Sequence, residues 1–152
     1  MKRIASFEVD HTKLLPGVYT SRVDGDITTY DIRMRRPNAE EVIDNASLHT
    51  IEHLFATFVR NSAYSDKVIY FGPMGCRTGC YFLVRNMEPS EVIDLIRDTF
   101  AFIASFDGDI PGVSAAECGN FREHSLAGAK QEAVRFAEVI RDWTTDRLTY
   151  ES

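Results

Sequence analysis

The chain has 152 residues, enough for one domain with a substantial core, and its 44% hydrophobic and 26% charged content is that of an ordinary globular protein. A net charge of −6 argues against a nucleic-acid groove, which needs clustered lysine and arginine, and no apolar run approaches the roughly 20 residues of a membrane span. Met1-Lys2-Arg3-Ile4 leads into polar residues rather than a secretory signal, so a cytoplasmic location is expected and the three cysteines read as thiols or ligands, not disulfides.

In chain order, Ser6 to His11 opens as a short alternating stretch, and Pro16-Gly17 marks a turn before a strand over Val18 to Val23. Asp24-Gly25-Asp26 turns the chain into a second strand, Ile27 to Arg35. Its alternation puts Thr28, Tyr30, Ile32 and Met34 on one face and Asp31, Arg33 and Arg35 on the other. Pro37-Asn38 ends it, and Ser47 is the expected N-cap of a helix that fades near Asn61 or Ser62. Lys67 to Phe71 and Tyr81 to Arg85 read as paired strands around the glycine-rich loop Gly72 to Cys80. Ser90 to Ser105 is an amphipathic helix with Ser90 as its expected cap, and a turn-rich stretch with Pro111-Gly112 follows. Cys118 lies in a loop, and a last helix runs from about Ser125 to Trp143, with His124 at its start given no role. Strands and helices mix without a β-α-β rhythm, which predicts a single α+β domain over residues 1–152, a mostly antiparallel sheet packed with helices.

The chemistry concentrates at His49-Thr-Ile-Glu-His53. Histidines four apart on a helix project from one face, where they can bind one divalent metal with Glu52 beside them for proton transfer. Ile51, Leu54, Phe55 and Phe58 on the other face anchor the helix in a core. A catalytic metal needs a third ligand and an open position. Cys118 is the best third ligand, although taken alone it reads more readily as a small buried hydrophobe. The helix motif by itself also fits a metal-dependent hydrolase or protease, and a structural metal site closed by Cys76 or Cys80 is a third possibility.

Five motifs occur together and in order: Ser-Phe-x-Val-Asp-His-Thr at 6–12, Tyr-Asp-Ile-Arg at 30–33, His-Thr-Ile-Glu-His-Leu-Phe-Ala at 49–56, Gly-Pro-Met-Gly-Cys-Arg-Thr-Gly at 72–79 and Glu-Cys-Gly-Asn at 117–120. Together they make the chain resemble the S-ribosylhomocysteine lyases (LuxS-type autoinducer synthases) over nearly its whole length. The resemblance implies an α+β homodimer with two sites at the interface, cleaving S-ribosylhomocysteine to homocysteine and 4,5-dihydroxy-2,3-pentanedione. It implies a metal on His49, His53 and Cys118, one divalent ion per chain, natively Fe(II) with Zn(II) or Co(II) as substitutes. It makes Cys76 and Glu52 the acid–base residues and Ser6 and His11 substrate contacts. Arg33 is a further candidate contact, since guanidinium matches the homocysteine carboxylate, the alternative being a solvated strand face shared with Asp31. Tyr70 and Cys80 depart from the family pattern, which has Asp and an aromatic residue there, near the expected homocysteine pocket. Small-molecule substrate and second copy are the only partners implied, with no nucleic acid or membrane.

Overall fold

A computed structural model describes residues 1–151. Its centre is a four-stranded sheet of β1 (Gly17–Asp24), β2 (Ile27–Arg33), β3 (Val68–Pro73) and β4 (Gly79–Arg85), in the order β1-β2-β4-β3 with every neighbour antiparallel. The β1–β2 hairpin closes on Gly25 at φ +62°, a left-handed conformation that glycine adopts without strain. Gly79 serves a different need. A Cβ there would come within 2.4 Å of the Ile32 carbonyl, so only glycine lets the β3–β4 turn lie this close to β2.

Around the sheet stand a single-turn helix α1 (Ala5–Glu8) and three longer helices, α2 (Asn45–Arg60), α3 (Pro89–Ala104) and α4 (Leu126–Ile140). The fold class is α+β, as expected. Helix α2 is anchored by the apolar face read from the sequence: Ile51, Leu54 and Phe55 are fully buried, and Phe58 is half-buried against the core. The Phe55 ring stacks on Phe71 at 3.8 Å and meets Phe82 and Phe100 edge-on. Burying a side chain of this size contributes roughly 1.5–3 kcal/mol, which fixes the helix and leaves its histidine face free for chemistry.

Several local expectations are corrected. Residues 5–8 form one helical turn rather than an extended stretch. Helix α2 is capped by Asp44, whose carboxylate accepts the Ser47 N–H at 3.0 Å. Ser47 is instead buried where α4 crosses, so close that a Cβ on Gly128 would lie 1.9 Å from its Oγ. Helix α3 starts at Glu88, in a reciprocal capping box with Glu91 and with Pro89 as its first residue, not at Ser90. Helix α4 does begin after Ser125, whose hydroxyl accepts the Gly128 N–H, but it stops at Ile140. Trp143 lies beyond it, donating its indole N–H to the Val18 carbonyl.

Strand β2 is buried on both faces. Asp31 and Arg33 are 1% and 2% exposed, so they do not form a solvated face. The C-terminal segment covers them: Tyr150 stacks on Tyr19 and donates its hydroxyl to Asp31 at 2.7 Å.

Candidate active site

The armed face of α2 does what its spacing predicts. His49 and His53 stand with ring centroids 4.7 Å apart, and the loop before α4 brings Cys118 to them. Cys118 Sγ lies 3.4 Å from His49 Nε2 and 3.8 Å from His53 Nε2. A tetrahedral ion with metal–sulfur and metal–nitrogen bonds of ordinary length separates such atoms by about 3.6 Å. The two Nδ1 atoms are held by main-chain carbonyls, His49 by Glu123 O at 2.9 Å and His53 by Pro111 O at 2.8 Å. A carbonyl only accepts, so both rings carry their proton on Nδ1 and present a lone pair on Nε2, the form a metal requires. Gly112 makes the second contact possible. Its φ is +72° and a Cβ there would press to 3.3 Å from His53 Nδ1. The donor set and its outer support therefore fit one divalent ion.

A fourth residue joins this group. A ring nitrogen of His124 lies with the donor atoms of His49, His53 and Cys118 in a cluster spanning 4.8 Å. The His124 ring stacks on His49 at 3.9 Å, and its pKa is pushed down to about 4, first by burial and then by His49 and His53. The sequence offered no sign of this, because the contact that places His124, to Thr50 of α2, spans 74 residues.

The cluster opens on one side into a cleft of about 670 Å³ lined by His49, Glu52, His53, Tyr70, Glu117 and Cys118 among others. Glu52 thus shares a chamber with the donor set. An open side is what distinguishes a catalytic from a structural metal site.

The family model described as S-ribosylhomocysteinase (LuxS) matches residues 4–147. The chain belongs to this family. It is 48% identical over 159 residues to the S-ribosylhomocysteine lyase of Desulfotalea psychrophila, spanning the whole of both chains. The lyases of Borreliella afzelii and Clostridium acetobutylicum are each 47% identical over 156 residues, covering 99% of either chain.

The other residues singled out in this LuxS-family chain fall into separate places. Cys76 is exposed on the β3–β4 turn, outside the cleft, with its Sγ 3.1 Å from the Thr78 hydroxyl. That hydroxyl accepts Arg33 Nη1–H at 2.9 Å, so its own proton is free for the sulfur. Arg33 in turn grips Asp31 through Nε at 3.1 Å and Nη2 at 2.8 Å. One continuous network therefore runs Tyr150–Asp31–Arg33–Thr78–Cys76. Burial alone would lower the Arg33 pKa, but the Asp31 carboxylate more than reverses this and holds the guanidinium firmly charged. Burial, then the Asp31 charge, pushes the Tyr150 phenol above its usual range. The cation linked to Cys76 is thus Arg33, which is paired with Asp31.

Cys80 is a different thiol. It is fully buried, and burial followed by the Glu52 and Asp31 charges pushes its pKa up, so it stays protonated and inert. Neither Cys76 nor Cys80 belongs to the metal-donor cluster. Tyr70 lines the cleft and is 54% exposed, its ring lying over Gly72, where a Cβ would strike it. Ser6 and His11 do not line the cleft, and His11 Nδ1 bonds the Val9 carbonyl at 2.9 Å.

Proposed function

We propose that this chain cleaves S-ribosylhomocysteine to homocysteine and 4,5-dihydroxy-2,3-pentanedione, the precursor of autoinducer-2. The observation that carries the reading is the convergence of His49, His53 and Cys118 beside Glu52 at an open cleft, with a second, exposed cysteine held apart from them. An ion held there, Fe(II) natively with Zn(II) or Co(II) as substitutes, supplies Lewis-acid polarisation of the sugar carbonyl. Cys76 removes and returns protons on the carbons beside that carbonyl. Thr78 holds the sulfur in place, its hydroxyl 3.1 Å from Cys76 Sγ while it accepts from the Arg33 cation. Glu52 moves protons among the sugar oxygens. Removal of a proton from the carbon between the final carbonyl and the sulfur-bearing carbon then expels the sulfur β to that carbonyl, and homocysteine leaves as its sulfur takes up a proton. Arg33 has two N–H donors left for substrate, and Tyr70 flanks the path to the homocysteine end.

The active unit in this reading is a cytoplasmic homodimer. Ser6 and His11 lie outside their own chain's cleft, which supports their acting on the substrate of a second copy. The test is incubation with S-ribosylhomocysteine in deuterated water, following free thiol and deuterium at substrate carbons. Thiol release with deuterium uptake is expected. A metal-dependent hydrolase, which is not favoured because it leaves Cys76 without a task, would take up none.

A further inference from the structure

His124 poses a question that the lyase reading does not answer. It sits with the three metal ligands and looks like a fourth, which would close the site. The hydrogen bonds around it decide otherwise. Thr50 is wholly buried, and its hydroxyl has two partners among the described residues, the Ser125 N–H at 3.0 Å and His124 Nδ1 at 2.9 Å. The amide can only donate, so it takes a lone pair of the hydroxyl oxygen. The hydroxyl proton then has one acceptor, His124 Nδ1. A neutral imidazole that accepts at Nδ1 carries its proton on Nε2 and has no lone pair there for a metal. His49 and His53 face carbonyls and have the opposite tautomer.

His124 Nε2 is itself buried without a hydrogen-bond partner. Around it, the Nε2 lone pairs of His49 and His53 are committed to an ion, whereas a metal-bound thiolate keeps lone pairs to spare. We infer that His124 is a positioning residue and not a ligand: Thr50 holds it as the Nε2–H tautomer, which donates to the Cys118 sulfur and leaves the fourth coordination position open to the cleft. A donor at the sulfur withdraws electron density from the metal–thiolate bond and so sharpens the ion's pull on a carbonyl. The inference rests on the metal reading only for the role of the sulfur. The tautomer stands on Thr50 alone.

The test is long-range proton–nitrogen NMR of the four histidines, in metal-free and zinc-loaded protein, followed by visible spectra of the cobalt form. In both NMR samples His124 should be protonated at Nε2, and on loading only His49 and His53 should gain the metal-bound nitrogen signal. A proton on His124 Nδ1, or a metal-bound His124, overturns the inference. Failure of His49 and His53 to respond to zinc overturns the metal reading instead, since the metal-free spectrum still judges His124. In the cobalt form, H124F should keep one ion per chain and move the thiolate-to-metal band to longer wavelength. T50V, which keeps the histidine but frees its tautomer, should move the band the same way and covers the case that H124F does not fold. Loss of the ion in H124F, or a band unmoved in T50V, refutes the donor role.

Discussion

Replacing Thr78 with valine keeps the shape of a 4%-exposed side chain and removes one oxygen. That oxygen joins Arg33 Nη1 at 2.9 Å to Cys76 Sγ at 3.1 Å, so two effects follow. The thiolate loses its donor. Hydrogen bonds to charged groups are worth about 1.5–3 kcal/mol, and the low end applies because Cys76 is exposed and water partly replaces the hydroxyl. About 1.4 kcal/mol is tenfold in a rate, so alkylation of Cys76 by iodoacetamide and turnover should each fall about tenfold at neutral pH. Arg33 Nη1–H also loses a buried acceptor, which costs about 1–3 kcal/mol of stability and lowers Tm by several degrees. The assay is the alkylation rate at Cys76, read by peptide mass, beside thermal unfolding of the same protein. Thr78→Ser keeps the hydroxyl and should restore most of both. If Thr78→Val folds and Cys76 is alkylated at the original rate, the Arg33–Thr78 relay does not support the thiolate.

Three further outcomes are expected. Gly112→Ala forces a side chain into a left-handed φ and against His53, and should weaken metal binding about 10–100-fold in a chelator competition, the range for losing a ligand's outer support. Asp44→Ala removes the α2 cap and should cost about 1 kcal/mol in urea unfolding at neutral pH. The Ser47 N–H holds the Asp44 carboxyl below its ordinary range, so the cap's contribution is full above that range and disappears as pH falls through the lowered value; an effect constant down to pH about 2 would refute this. Mixing Cys76→Ala with Arg33→Ala should rescue nothing, since both lie in one chain's network. Mixing Glu52→Gln, which lines the cleft, with His11→Ala, which does not, should return about a quarter of native activity, as a random dimer population leaves one site in four intact. No recovery in that second mixture would place His11 in its own chain's site.

The histidine pair was legible because helical spacing is local physics: four residues carry His49 to His53, and the apolar residues between them show which face is buried. What lay outside the sequence were the contacts that close over long distances. Alternation separated Asp31 and Arg33 from Tyr30 and Ile32, but it cannot say what covers a face, and the cover is Tyr150, 119 residues on from Asp31. His124 escaped for the same reason, its partner Thr50 being a mid-helix threonine with no signature of its own. The caps failed differently. Asp44 and Ser47 are both capping residues within one turn, so composition left a tie there, whereas Ser90 was the better cap by type and lost to the reciprocal Glu88–Glu91 bonds with Pro89 as the first helical residue.

The central claim is that one cysteine holds the metal while another moves protons. The most direct measurement compares Cys118→Ala and Cys76→Ala, taking metal content and thiol release from S-ribosylhomocysteine on the same preparations. Cys118→Ala should lose most of its metal and its activity together. Cys76→Ala should keep about one ion per chain yet lose on the order of a hundred- to ten-thousand-fold in turnover, the loss typical of a positioned acid–base group. A Cys76→Ala protein without metal, or one that retains both metal and turnover, would contradict the account.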